Sequence, residues 1–111
     1  MSDDPAAVRI VLTTCASPGE ASKLARILVE ERLVACATLI PKVESIYYWE
    51  GQVESNTETL VLMKTCVDQL PALESRVQAL HSYQTPEFLV LGIEAASEPY
   101  LAWLTANLRN R

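Results

Sequence analysis

Residues 35–66 form one long run of strand-type sequence that turns back on itself at Glu50-Gly51. At a rise of about 3.3 Å per residue, each arm of this hairpin would be about 50 Å long. A compact chain of 111 residues should be only about 34 Å across. The outer part of the hairpin is rich in aromatic and β-branched side chains, including Tyr47, Tyr48 and Trp49. The hairpin therefore predicts a closed symmetric oligomer in which further copies of the chain cover this surface.

The segment before the hairpin has a strand pattern followed by a helix pattern. Residues 8–14 are a β-branched run typical of a central strand. Ser17 then provides an N-cap, with Pro18 at the first helical position and Glu20 three residues after the cap. An apolar stripe at i, i+3, i+4 and i+7 continues the helix. Glu20, with Glu30 and Glu31, is predicted to lie on the solvated side of this helix.

The segment after the hairpin repeats the order of helix and strand. Asp68 is predicted to cap a second helix that ends near His81. Residues 88–93 are almost wholly apolar, which predicts a strand inside the sheet. Ser97 begins a last amphipathic helix. Pro41 cannot donate to a strand ladder, so the first arm of the hairpin is predicted to bend or to carry a bulge there.

The resulting order, βαββαβ plus a C-terminal helix, predicts an α+β fold of the ferredoxin-like split β-α-β type. Its antiparallel sheet would carry helices on one face only. The other face would be exposed apolar surface in a single chain, which again favours contact between subunits.

Composition limits the partners and the compartment of this chain. The length predicts a single domain over residues 1–111, in which residues 1–6 are expected to be flexible. A net charge of −5, with nine scattered basic residues, argues against nucleic-acid and membrane partners. The acidic N-terminal segment has no secretory pattern, and three cysteines without CxxC spacing suit reduced thiols. A cytoplasmic location is expected.

Four separated segments resemble the signature segments of the CutA divalent-cation tolerance family. They are residues 33–41 (LVACATLIP), residues 45–51 (SIYYWEG), Lys64-Thr65 and residues 81–87 (HSYQTPE). The resemblance covers nearly the whole chain. It implies a ferredoxin-like fold assembled as a tight homotrimer, related in architecture to the PII signalling proteins, with long hairpins that clasp neighbouring subunits.

The resemblance also implies a copper site, which some members of the family are held to form with a cysteine near the end of the first strand and a His-His pair before a Pro-Tyr element. The family cysteine falls opposite Thr13, the paired histidines correspond to Leu80 and His81, and the proline corresponds to Ser82. Cys15 lies two residues after Thr13, so its side chain is expected on the same face of the strand as that of Thr13. Cys15 and His81 are therefore the candidate metal ligands, with Glu87 as a further candidate.

Each candidate ligand also has a purely structural interpretation. A histidine at a helix C-terminus often serves as a cap, and a cysteine among apolar residues often acts as a small hydrophobe. Cys36 and Cys66 flank the base of the hairpin and are predicted to be core residues.

A second set of residues is predicted to line an inter-subunit cleft or interface. The aromatic members suit anchoring between subunits, although they could also stack on a ligand ring. The charged members could have shifted pKa values in a cleft or could form salt bridges between subunits. The set comprises Tyr47, Tyr48, Trp49, Glu50, Lys64 and Trp103.

The sequence therefore predicts a trimeric binding or regulatory protein linked to the response to metal ions, with copper or another divalent cation as a possible ligand and no required cofactor. A small-molecule sensor like the PII proteins, and an interaction scaffold, are the alternatives. An enzyme is not expected, because no thiol lies near the only histidine in sequence and three glycines provide no phosphate loop.

Overall fold

The computed structural model describes residues 7–109 of the chain. The elements are β1 (Val8–Cys15), α1 (Pro18–Glu30), β2 (Cys36–Trp49), β3 (Gln52–Cys66), α2 (Leu70–Leu80), β4 (Leu89–Gly92) and α3 (Glu98–Ala106). The strands form one sheet in the order β2-β3-β1-β4, and every neighbouring pair is antiparallel. This arrangement confirms the predicted α+β fold. Residues 1–6, which were expected to be flexible, lie outside the described residues.

The β2–β3 hairpin is the longest feature of the chain. The described residues extend over 47 × 26 × 22 Å, and their radius of gyration is 14.7 Å, whereas a compact chain of this length would have about 13 Å. The two strands pair as far as Trp49 and Gln52, and the turn between them places Glu50 and Gly51 at positive φ. The outer half of the hairpin therefore projects beyond the helices, as the sequence predicts.

A bulge bends the first arm of the hairpin at the predicted place. The pairing of β2 with β3 shifts register between Ile40 and Val43, and Lys42 adopts φ of 60°. Pro41 lies inside this interval and has no N–H to donate.

Helices α1 and α2 cover one face of the sheet. The Ser17 hydroxyl accepts a hydrogen bond from the Glu20 N–H at 3.2 Å, so α1 begins at the predicted cap. The apolar stripe of α1 packs on the inward side chains of β1 and β3. The fully buried members of this core include Val11, Leu28, Leu33, Val34, Val61, Met63 and Leu73.

Two predictions in the second half of the chain are wrong. β4 is an edge strand with all four residues exposed, because it pairs only with β1 and because α1 packs on the other three strands. Asp68 does not cap α2, because it lies within a 3-10 turn over Val67–Gln69. Gln69 is the N-cap residue, and its side-chain amide donates to the Arg109 carbonyl at 2.6 Å instead.

The sheet face opposite α1 and α2 is open in the single chain except at one end. There Leu101 and Leu104 of α3 pack with Val8 and Cys66 in a second buried cluster, so the expectation of helices on one face only is wrong for α3. Pairing places Leu12, Leu62 and Leu89 in one row across it. Its exposed apolar residues include Ile40, Leu89 and Leu91. Below, "open face" refers to this surface, made of Ile10, Leu12, Thr38, Ile40, Leu60, Leu62, Leu89 and Leu91. Among the described residues, the helices are too short or too polar to cross a membrane.

Candidate functional site

Cys15 and His81 meet where β1 ends and α2 ends. Cys15 is the last residue of β1 and is fully buried, and His81 follows the last residue of α2 with 9% of its surface exposed. The Cys15 Sγ lies 3.8 Å from the His81 Nε2 although 66 residues separate them in sequence. The structure therefore brings together the two residues that the sequence proposed as ligands.

His81 also joins two backbone segments. Its Nδ1 accepts a hydrogen bond from the Tyr83 N–H at 3.0 Å, and its Nε2 lies 2.7 Å from the Thr14 carbonyl oxygen. A backbone N–H can only donate and a carbonyl can only accept, so the network assigns the ring hydrogen to Nε2. His81 thus connects the end of β1 to the segment after α2.

Glu20 completes a group of three metal-type donors. Its carboxylate, the Cys15 thiol and the His81 ring each offer one ligand atom, and these atoms lie within 4.8 Å of one another. Partial burial opposes ionisation, but hydrogen bonds from Ser82 and the Ala16 N–H, with the nearby His81 ring, lower the pKa of Glu20. The prediction that Glu20 faces solvent is therefore wrong, because its role at the start of α1 turns it toward Cys15.

The environment of Cys15 keeps its thiol protonated. Burial, followed by the charges of Glu20 and Glu58, raises the pKa of Cys15 to about 12. Thr59 lies directly opposite Cys15 on β3, and its buried hydroxyl has no hydrogen-bond partner among the described residues. The same is true of the buried Thr13 hydroxyl on β1. The thiol is thus bordered by unpaired polar groups as well as by the core.

Native Cys15 is expected to resist iodoacetamide at pH 8. With a pKa of about 12, only about one thiol in 10⁴ is thiolate at that pH, and the thiolate is the reactive form. Peptide mapping by mass spectrometry should show Cys15 unlabelled in the folded protein and labelled in guanidinium chloride. Cys66, which is also buried, serves as an internal comparison. Rapid labelling of Cys15 in the folded protein would contradict the assigned burial.

A cleft of about 680 Å³ opens beside this group, between the hairpin and the segment after α2. The Tyr83 hydroxyl donates a 2.6 Å hydrogen bond to Glu58 Oε2 within it. Burial and this bond raise the pKa of Tyr83, and burial followed by the charge of Glu58 raises the pKa of Glu87. The lining residues are Thr14, Tyr47, Trp49, Glu54, Asn56, Glu58, Tyr83, Gln84, Thr85 and Glu87.

The other candidate residues divide between the cleft and more distant places. Glu87, Tyr47 and Trp49 line the cleft, and the Asn56 side-chain amide donates to the Tyr47 hydroxyl. Glu87 does not belong to the group around Cys15.

Four of the predicted cleft or interface residues do not line this cleft. Tyr48 is 77% exposed on the hairpin, and Glu50 lies in its turn. Lys64 lies near the other end of the sheet, with its Nζ 5.7 Å from the Tyr100 ring centre. Trp103 packs beside Tyr100 and is 46% exposed. Within one chain these four residues form no common site, so their roles between subunits stay predictions.

Sequence reasoning did not single out Glu58 and Tyr83 as a pair. Glu58 belongs to the polar alternation of β3, and its hydrogen-bond donor Tyr83 lies 25 residues further along the chain. Glu31 keeps the partial exposure expected of it, and it also accepts hydrogen bonds from Arg76 of α2, the shortest at 2.7 Å. The core prediction holds for Cys66, whereas Cys36 is only half-buried. No local pattern signals these contacts, because each partner comes from a distant part of the chain.

The fold and this site define a small ferredoxin-like α+β protein with a thiol, an imidazole and a carboxylate gathered at one end of the sheet. The family model of the CutA1 divalent ion tolerance protein matches residues 9–107. The chain belongs to the CutA divalent-cation tolerance family.

Individual relatives agree over nearly their full lengths. The divalent-cation tolerance protein CutA of Pectobacterium atrosepticum is 41% identical over 111 residues, which cover 98% of this chain and 100% of that protein. CutA1 from Oryza sativa superimposes with a TM-score of 0.94 at 34% identity, covering 99% of this chain and 100% of that one. A CutA from Archaeoglobus fulgidus, named a periplasmic divalent cation tolerance protein, superimposes with a TM-score of 0.87 at 31% identity. The match covers 90% of this chain and 97% of that one.

Proposed function

We propose that this chain is a binding protein linked to the response to metal ions, which holds copper or another divalent cation weakly and performs no catalytic turnover. The observation that carries the proposal is the group of Cys15, Glu20 and His81, whose ligand atoms lie within 4.8 Å of one another. Three free cysteines suit a reducing compartment, which supports a cytoplasmic location.

The donor set fits a metal ion by type and by spacing. Thiolate and imidazole are preferred ligands of copper and zinc, and three protein ligands leave one position open. Tetrahedral coordination places sulfur and nitrogen ligands about 3.5 Å apart, close to the 3.8 Å between Cys15 Sγ and His81 Nε2. The unpaired Thr59 hydroxyl opposite Cys15 adds a polar atom that a bound ion or its water could engage.

Two features of the group oppose metal binding and therefore support a weak affinity. The Cys15 thiol must lose its proton although its pKa is raised to about 12. His81 must also release the Thr14 carbonyl from Nε2, and its Nδ1 is already occupied by the Tyr83 N–H. An ion has to displace these interactions before it gains its own.

Calorimetric titration with Cu(I) and Cu(II) under anaerobic conditions tests the metal site. Cys15→Ser and Glu20→Gln are each expected to weaken binding at least about tenfold, because each removes a proposed ligand. Cys36→Ser is the matched control, since it removes a thiol on β2 outside the group. Identical isotherms for wild type and Cys15→Ser would exclude the group as the metal site.

We further propose that three copies assemble, with hairpins that clasp neighbouring subunits. The open face presents apolar side chains that a second copy can cover, including Leu89 at 55% and Leu91 at 47% exposure. The hairpin tip adds Tyr48 and Trp49, exposed by 77% and 63%. Burial of both surfaces would couple dissociation to unfolding.

A second candidate function is the sensing of a small molecule. The observation that favours it is the cleft of about 680 Å³, which has the volume of typical ligand sites. In this function, metal binding at the neighbouring Cys15 group would be incidental.

A further inference from the structure

The cleft between the hairpin and the segment after α2 combines negative charge with aromatic walls. Its lining includes the carboxylates of Glu54, Glu58 and Glu87 and the rings of Tyr47, Trp49 and Tyr83. Among the described residues, none of those that line the cleft is a lysine, an arginine or a histidine. The cleft therefore concentrates negative potential in a space that apolar and aromatic groups can fill.

Glu58 is the most informative of these carboxylates because it is buried and no basic side chain of residues 7–109 pairs with it. Only 8% of its surface is exposed. Its hydrogen bond among the described residues comes from the neutral Tyr83 hydroxyl to Oε2. The ion pair within residues 7–109 joins Arg76 to Glu31 and does not involve Glu58. A buried carboxylate is costly unless a cation or several donors compensate it.

The environment of Glu87 also has too little positive charge to favour an ionised carboxylate. Burial, followed by the charge of Glu58, raises the pKa of Glu87. A cation placed between Glu58 and Glu87 would reverse that effect, because an opposite charge favours the ionised carboxylate.

We propose that this cleft binds a small organic cation, an ammonium or guanidinium group on an apolar or aromatic body, with Glu58 and Glu87 pairing the charge and Tyr47 and Tyr83 packing on the body. The inference rests on the second candidate function and names its ligand class. A cation over an aromatic face is attracted to the ring, and its pairing with a desolvated carboxylate adds to that attraction. The volume of about 680 Å³ suits a molecule rather than a bare ion, which would need convergent oxygen ligands.

Three probes of similar shape and different charge test the proposal: benzylammonium, benzyl alcohol and benzoate. Binding to the full-length protein is measured by calorimetry at pH 7.5 with EDTA present, so that metal ions do not contribute. Benzylammonium is expected to bind at least about tenfold more tightly than benzyl alcohol, since only the ammonium group can form a charge-assisted hydrogen bond with Glu58 or Glu87. Benzoate is expected to show no binding.

Two variants locate the charge pairing, and one controls for net charge. Glu58→Gln and Glu87→Gln keep the side-chain shape and are each expected to weaken benzylammonium binding about tenfold or more. Glu74→Gln changes the net charge equally but lies on the exposed side of α2, so binding should be unchanged. Thermal melting of each variant shows whether it is folded, and Glu87→Gln keeps the test decisive if Glu58→Gln does not fold.

The outcomes separate this inference from the functions proposed above. Equal binding of benzylammonium and benzyl alcohol, or tighter binding of benzoate, would overturn the ligand class while leaving a small-molecule sensor in place. No binding of any probe would count against both. A structure of the assembled protein with a lysine or arginine of a second copy within 4 Å of Glu58 would also overturn the inference. Loss of metal binding in Cys15→Ser would leave benzylammonium binding intact.

Discussion

Replacing Leu62 by aspartate is expected to dissociate the assembled protein into single chains and to lower its stability. Leu62 lies at the centre of the open face, opposite Leu12 on β1 and Thr38 on β2. When a second copy covers this face, the new carboxylate is buried without a partner, which costs about 3–5 kcal/mol per copy. Sedimentation at low micromolar concentration should give three times 12.3 kDa for the wild type and 12.3 kDa for the variant.

Ser75→Asp is the matched control because it adds the same charge on the exposed side of α2. Its mass should equal that of the wild type, and its melting temperature should change little. The wild-type melting temperature should also rise with protein concentration, since assembly stabilises only the folded state. A wild type that sediments as a folded 12.3 kDa species would contradict the assembly, as would a Leu62→Asp variant of unchanged mass and stability.

The strand and helix order could be predicted because its signals are local. Alternation along residues 53–63 fixes which side of β3 faces the helices, and the structure buries Thr59, Val61 and Met63 as that alternation requires. The cap at Ser17 and the bulge at Pro41 follow from single-residue chemistry in the same way. Each of these features depends on residues that are neighbours in the chain, so a single sequence is enough to predict it.

The errors arise where tertiary contacts decide. The apolar run that contains β4 has the composition of an interior strand, but its position at the sheet edge depends on which strands pair. The apolar side chains of this strand indicate burial by a partner rather than by the chain itself. Asp68 does not cap α2 because residues Val67–Gln69 form a 3-10 turn before the helix begins. Gln69 occupies the cap position, and its side chain donates to the distant Arg109 carbonyl.

The candidate site was predicted only in its two most distinctive residues. Cys15 and His81 stand out as the scarce thiol and imidazole that the family resemblance points to. Glu20 and Glu58 do not stand out, because exposed glutamates are common and neither carries a local signal of burial. Their environments come from Ser82 and Tyr83, which the end of α2 brings across from another part of the chain.

Replacing His81 by alanine is expected to lower the free energy of unfolding by about 2–4 kcal/mol, even without any metal. The change removes the acceptor of the Tyr83 N–H and the donor to the Thr14 carbonyl. His81 is only 9% exposed, so water can replace these bonds poorly, and each unsatisfied buried group costs about 1–3 kcal/mol. Urea unfolding at fixed protein concentration in EDTA measures the loss.

Gln78→Ala provides the control, because the Gln78 amide also holds the segment after α2 through the Gln84 carbonyl but is exposed. That bond should contribute within about 0.5 kcal/mol. If His81→Ala were as stable as Gln78→Ala in EDTA, the two backbone bonds would be unimportant and His81 would be left with ligand binding as its role. A large loss in EDTA would instead mean that His81 already holds β1 to α2, so that any ion reaching Cys15 must compete with the fold for the same ring nitrogen.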